Sequence, residues 1–367
     1  MFRHFRHASF RRRAASAAAR GLRAAFFCAV AAASFAALPA QAETGEDFAR
    51  QAGSRVLGRA LPPLTLTDID GGRHDLGALR GRKAVYLKFW ATWCSPCRAQ
   101  MPHFQRAFLG RGEDLEVIAV NIGFDDSLEQ IRAFQREYRI GMPVVRDDGR
   151  LGELFGLRVT PQHVLIGKDG RVAYVGHEAD ARLDAELARV RRAPAPAEAG
   201  AAAPLLAAAA QPGAAPLAAG AAVPALGLQS LEARPLALSD PARRRASVLV
   251  FLSPWCESYF AQTRPQSARE CRQARESLVA HGRDRRVRWV GIASGLWASP
   301  QDLREYRDRH RIPAPLALDR DGEAFRRFGI DRVPAVWLVD AQGRLLRRLA
   351  PGEDVAAAAL AAAPPHG

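Results

Sequence analysis

Two cysteines three residues apart, Cys94 and Cys97, stand where an apolar run gives way to a helical pattern. The run is Ala84-Val85-Tyr86-Leu87-Lys88-Phe89, which reads as a buried strand. The pattern, Arg98 to Phe108, carries apolar residues at roughly helical spacing. A thiol at a helix start meets free backbone N–H groups and the positive end of the helix dipole, which both favour an anion. Its pKa then falls to roughly 7 or lower, and the thiolate becomes nucleophilic. A second thiol one turn inside can attack the mixed disulfide that the first one forms. A zinc site would need two further ligands, and no second close Cys or Cys/His pair exists. Redox exchange is the chemistry expected here, with no metal and no cofactor.

Phe89-Trp90-Ala91-Thr92-Trp93-Cys94-Ser95-Pro96-Cys97-Arg98, followed by Met101-Pro102, resembles the thioredoxin superfamily, in particular its TlpA-like and ResA-like periplasmic branch. The resemblance runs from about Leu61 to Gly176. It implies a central sheet flanked by helices, protein thiol or disulfide substrates, and a place for Trp93 in the substrate groove. It also implies a cis bond at Thr160-Pro161, packed against the active cysteines, with the backbone of Thr160 pairing with substrate. Gln100 stands where that branch commonly has a glutamate, so a carboxylate proton acceptor near Cys97 is missing. His163 follows the proline closely, but strand alternation points it to the opposite face and favours a structural part.

The elements that must position these residues follow in order. Glu116 to Asn121 reads as the next strand, Leu128 to Tyr138 as an amphipathic helix, and Val164-Leu165-Ile166 with Val172 to Val175 as a hairpin closing the sheet. Ala179 to Arg192 reads as the last helix.

Residues 1–42 hold seven arginines, no acidic residue, an apolar stretch from Ala24 to Leu38, and the small-x-small triplet Ala40-Gln41-Ala42. This pattern predicts a signal peptide and a periplasmic protein, anchored in the membrane only if the signal stays uncleaved. Removing it lowers the net charge from +15 to about +8, carried by scattered arginines, a solvated surface rather than a nucleic-acid site. Four cysteines then remain, enough for two disulfides in an oxidising compartment.

Residues 193–221 are dominated by alanine, proline and glycine, and read as a flexible linker. On either side lies a repeat. Leu61-Pro62 matches Val223-Pro224, Leu76 matches Leu238, and Trp93-Cys94 matches Trp255-Cys256, at a constant offset of 162. Further on the offset is 173, pairing Phe155-Gly156 with Phe328-Gly329 and Pro161 with Pro334. The expected architecture is therefore α/β, two tandem thioredoxin-like domains at 43–192 and 222–350, with an Ala/Pro-rich tail at 351–367. The second copy is degenerate. Its only other cysteine is Cys271, fifteen residues after Cys256; with the eleven extra residues placed directly after Cys256, Cys271 falls within one residue of the match to Cys97 and is expected to begin a helix. Cys256 and Cys271 are expected to bond, mainly for structure, and Val333-Pro334 is the second cis-proline candidate.

The leading expectation is an exported thiol–disulfide oxidoreductase in which Cys94 attacks and Cys97 resolves. The resemblance favours a reductant fed by a membrane electron donor, with cytochrome c maturation among its uses. A peroxiredoxin-like peroxidase is the first alternative. Its usual proline and threonine, seven and three residues before the reactive cysteine, are replaced here by Leu87 and Ala91. The second is a non-enzymatic module binding a client or a metal, above all in the second copy.

Overall fold

Continuous apolar runs that no amphipathic pattern interrupts become the central strands, because both of their faces must be covered. The computed structural model describes residues 44–194, 215–296 and 298–362. The expected signal peptide and most of the expected linker lie outside them.

The first copy begins with α1 (Gly45–Val56), capped by Thr44, whose hydroxyl accepts from the Asp47 N–H while the Asp47 carboxylate accepts from the Thr44 N–H. A small hairpin, β1 (Thr65–Thr67) and β2 (Arg73–Asp75), precedes β3 (Ala84–Trp90), buried at every position. Then come α2 (Ser95–Leu109), β4 (Leu115–Asn121), α3 (Leu128–Glu137), β5 (Val144–Arg146), α4 (Arg150–Leu154), β6 (Gln162–Ile166), β7 (Val172–Gly176) and α5 (Ala181–Arg192). The main sheet runs β5-β4-β3-β6-β7, with β3, β4 and β5 parallel and β6 and β7 antiparallel to their neighbours.

The second copy repeats this plan. β8 (Ala246–Leu252) leads to α6 (Cys256–Tyr259) and α7 (Pro265–His281). β9 (Val287–Ser294), α8 (Pro300–His310), β10 (Leu316–Asp319), α9 (Glu323–Arg327), β11 (Ala335–Val339), β12 (Leu345–Arg348) and α10 (Val355–Ala362) follow. Its sheet runs β10-β9-β8-β11-β12 with the same strand senses. The registers superimpose by number: Phe89 faces Gln162 across β3 and β6, and Phe251 faces Ala335 across β8 and β11. Those pairs differ by 162 and 173, the offsets of the repeat.

Three local readings change. Cys271 does not open a helix: α7 begins six residues earlier, at Pro265, where a proline suits the first helical turn because that N–H has no partner within the helix. The stretch read as a tail at 351–367 contains α10, which lies against β8 and β11 and buries Ala359. Residues 215–221, read as part of the linker, run along the second copy, where Gly220 donates to the Leu345 carbonyl and Leu345 to that of Ala221. Both copies belong to one compact unit, and one cluster of buried apolar residues draws on both, while a second cluster lies within the second copy.

Candidate active site

Cys94 is the N-cap of α2, with extended backbone, and Pro96 stands in the first helical turn. Its sulfur accepts the Cys97 N–H at 3.2 Å, and no acidic residue stands in the first turn to oppose an anion there. Cys94 and Cys97 are joined in a disulfide with Cα atoms 5.2 Å apart. Cys94 is 1% exposed and Cys97 is fully buried.

The turn before them is fastened from below. Asp126, buried, accepts the backbone N–H and the hydroxyl of Thr92 and the amide of Asn121. Arg98 donates from the first turns of α2 to the Thr92 carbonyl at 2.8 Å, and the Trp93 indole donates to the Phe124 carbonyl at 2.9 Å. Charge-assisted bonds of this kind hold a loop in one geometry. The Thr160-Pro161 bond is cis, Thr160 is buried, and the Pro161 carbonyl lies 2.7 Å from His177 Nδ1.

Gln100, the residue in place of the expected glutamate, is a hub. Its Oε1 lies 2.8 Å from His163 Nε2, and its amide donates to the His177 carbonyl and the Glu178 carboxylate, each at 3.2 Å. His163 Nδ1 in turn lies 2.7 Å from the Tyr86 hydroxyl. His163 is thus on the face that α2 covers, not the opposite one. Alternation from the proline misassigned it, whereas its register opposite Lys88 places it correctly. Burial pushes the imidazole well below its ordinary range, with Lys88 adding to the effect, so it is neutral in the fold.

Lys88 itself is buried, and its Nζ has no hydrogen-bond partner among the described residues. Burial lowers it to about 7. The unfolded chain, with an ordinary lysine near 10.5, then binds more protons between about pH 7 and 10.5, so stability rises with pH through that window. The burial cost is fully present below about pH 7. Lys88→Met is therefore expected to stabilise the protein by on the order of 3 kcal/mol at pH 6, and much less near pH 10. Urea midpoints at both pH values measure this, and a gain that does not shrink with rising pH contradicts it.

In the second copy Cys256 opens α6, the chain breaks at Phe260–Arg264, and α7 brings Cys271 back, so a disulfide joins the two with Cα atoms 6.2 Å apart. A continuous helix over that span would have held them too far apart. Closing a loop of fifteen residues stabilises a fold by about 3 kcal/mol in the chain-entropy model. The Cys256→Ala/Cys271→Ala protein is expected to lose about that much, read from its denaturant midpoint. Val333-Pro334 is also cis. Among the described residues no group of three His, Cys, Asp or Glu could hold a metal ion.

What the sequence did not reveal is the cover over the thiols. The Trp93 ring stacks on Trp255, with centroids 6.1 Å apart, and meets Tyr259 and Phe260 edge-on at 6.0 and 5.6 Å. The Ser95 N–H, next to Cys94, donates to the Tyr259 hydroxyl at 3.2 Å. Arg264 reaches from the start of α7 to Asp125 at 2.8 Å, to the Thr92 hydroxyl at 3.0 Å and to Asp126 at 3.2 Å. Asp125 also donates its N–H to the Asp331 carbonyl. Burial raises the Asp125 carboxyl to about 6 although Arg264 opposes the rise. The repeat offset offered one sign of this contact, since it placed Trp255 in the role of Trp93.

A mixed sheet in this strand order, with a Cys-x-x-Cys disulfide heading the helix after its central strand, defines a thioredoxin-like thiol–disulfide protein. The AhpC/TSA family matches residues 57–175. The thiol-disulfide oxidoreductase ResA of Bacillus thuringiensis (strain Al Hakam) is 30% identical over 138 residues, 36% of this chain and 78% of that protein. That of Bacillus subtilis is 32% identical over 120 residues, 32% of this chain and 65% of that protein. An exposed lipoprotein thioredoxin of Streptococcus pneumoniae is similar at 31% identity over 34% of this chain and 98% of that one, with a TM-score of 0.31. The chain belongs to the ResA-type thiol-disulfide oxidoreductases, and its first copy carries the likeness. It is an enzyme of thiol–disulfide exchange.

Proposed function

We propose that this enzyme is an exported reductant of protein disulfides, working through Cys94 and Cys97, with the second copy as its accessory domain. The observation that carries the reading is the cap position of Cys94, whose sulfur already accepts a backbone N–H at the positive end of α2. In the reduced enzyme the Cys94 thiolate attacks a substrate disulfide, forming a mixed disulfide and releasing one substrate thiol. The Cys97 thiolate then attacks Cys94, releasing the second thiol and closing the Cys94–Cys97 bond. Two electrons pass to the substrate, and a membrane electron donor restores the dithiol. Trp93, Thr160 and Pro161 form the groove beside Cys94.

Export to the periplasm is supported by the arginine-rich, apolar, Ala40-Gln41-Ala42 pattern of residues 1–42. Among the described residues no helix is long and apolar enough to cross a membrane. The AhpC/TSA match raises peroxide as a rival substrate, but Leu87 and Ala91 occupy the positions of the peroxidatic proline and threonine. The deciding experiment compares insulin reduction with peroxide consumption at equal enzyme. The expected result is insulin reduction that Cys94→Ser abolishes, with peroxide turnover at background. Peroxide turnover that depends on Cys94 would overturn the reading.

A further inference from the structure

The two copies meet by the same edge. Trp93 and Trp255, stacked on one another, each directly precede a buried cysteine that heads a helix and is bonded to a second cysteine. Tyr259, three residues after Cys256, touches the backbone of Ser95, one residue after Cys94. Asp331, three residues before the second cis-proline, accepts a backbone bond from Asp125 of the first copy. A domain that merely covered Cys94 would need none of this equipment. This one carries its disulfide at Cys256, one residue after the Trp255 ring that stacks on Trp93, within the aromatic contact between the two copies. Cys94 and Cys97 are 1% and 0% exposed and Cys256 and Cys271 are 0% and 7% exposed, so all four sulfurs are shut away from solvent while the copies touch, with Cys94 one residue from the Ser95–Tyr259 bond that joins them.

We propose that Cys256–Cys271 is a redox partner of Cys94–Cys97, and that electrons pass between the two pairs inside one chain. The proposal rests on Cys94 being the nucleophile of the first copy. With the first pair reduced, the Cys94 thiolate attacks the Cys256 sulfur, the Cys94–Cys256 bond forms, and Cys271 leaves as a thiolate that takes up a proton. The Cys97 thiolate then attacks the Cys94 sulfur, closing Cys94–Cys97 and releasing the Cys256 thiolate, which is protonated in turn. The first pair is oxidised by two electrons and the second is reduced by two. The electrons enter the first pair by exchange with an external dithiol while the contact is open, and pass to the second pair once it has closed. The second copy then holds a dithiol of its own, to be discharged when the contact opens.

The test uses the full chain with both disulfides formed. Limiting dithiothreitol is added, samples are quenched by alkylation, and free thiol at Cys256 and Cys271 is followed by peptide mass spectrometry. Reduction of this pair is expected to be at least tenfold slower in Cys94→Ser, which keeps both cysteines of the second copy and therefore its fold. Equal rates in the parent and Cys94→Ser, in a parent that reduces insulin through Cys94, would overturn the relay alone. A parent without Cys94-dependent insulin reduction would overturn the underlying reading as well. A second arm oxidises the Cys97→Ser/Cys271→Ser protein with glutathione disulfide. An intramolecular Cys94–Cys256 peptide pair supports the relay, and a Cys94–glutathione adduct without that pair counts against it.

Discussion

Cys97→Ser is expected to turn the enzyme into a trap: incubated with a disulfide substrate, it accumulates a mixed disulfide at Cys94 and stops. Attack needs only the Cys94 thiolate, which keeps the Cys97 backbone N–H, since a serine at that position donates it equally. Resolution needs a second sulfur one helical turn away, and serine supplies none that can act as a nucleophile toward a disulfide at neutral pH. Turnover should fall by at least a thousandfold, because the remaining route is slow attack by an external thiol. Cys94→Ser should lose turnover to the same degree but trap nothing. Non-reducing mass spectrometry of the two variants separates these outcomes. A trapped adduct on Cys97 in the Cys94→Ser protein, with free Cys94 in the other, would reverse the roles.

Uncovering the site is the other large effect. With Cys94 1% exposed, a substrate reaches it only after the second copy moves aside. The contact is held by the rings of Trp255, Tyr259 and Phe260 on Trp93 and by Arg264 on Asp125, Asp126 and Thr92. Truncating one partner of a desolvated charged cluster costs on the order of 2–5 kcal/mol, much of it from the charge left behind. Part of that falls on folding of the first copy, because Asp126 also anchors Thr92 and Asn121. We expect Arg264→Ala to raise iodoacetamide labelling of reduced Cys94 by roughly 10- to 100-fold, the equivalent of about 1.4–2.8 kcal/mol in the opening equilibrium. Trp255→Ala/Tyr259→Ala should act in the same direction without leaving a buried charge. Site-resolved mass spectrometry reads the labelling, and an unchanged rate in both variants would show that the cover does not limit access.

Much of the first copy is legible in the chain itself. β3 is seven buried residues in a row, and such a run admits a central strand almost without further information. α3 carries its own start, since Ser127 and Gln130 cap one another across one turn. The tandem appears in the offsets of 162 and 173, and the two sheets repeat one strand order. These features are local or nearly so: periodicity, caps and turn residues act within a few positions of themselves. His163 shows where local reasoning fails. Its face is set by the register of β6 on β3, where it lies opposite Lys88, a pairing between strands about 75 residues apart that no local pattern announces.

The sequence by itself determined the chemistry, because a Cys-x-x-Cys at a strand-to-helix junction needs only one helical turn to bring its sulfurs together. It determined also that a second, altered copy of the same unit follows. Only the tertiary structure decided what faces that chemistry. Arg264 and Asp126 are separated by 138 residues, and Trp93 and Trp255 by a whole domain; the repeat offset makes the two tryptophans equivalent, but nothing in the sequence states that they touch. Such contacts form because two folded surfaces fit and exclude water, and that fit is a property of assembled faces rather than of any stretch of chain.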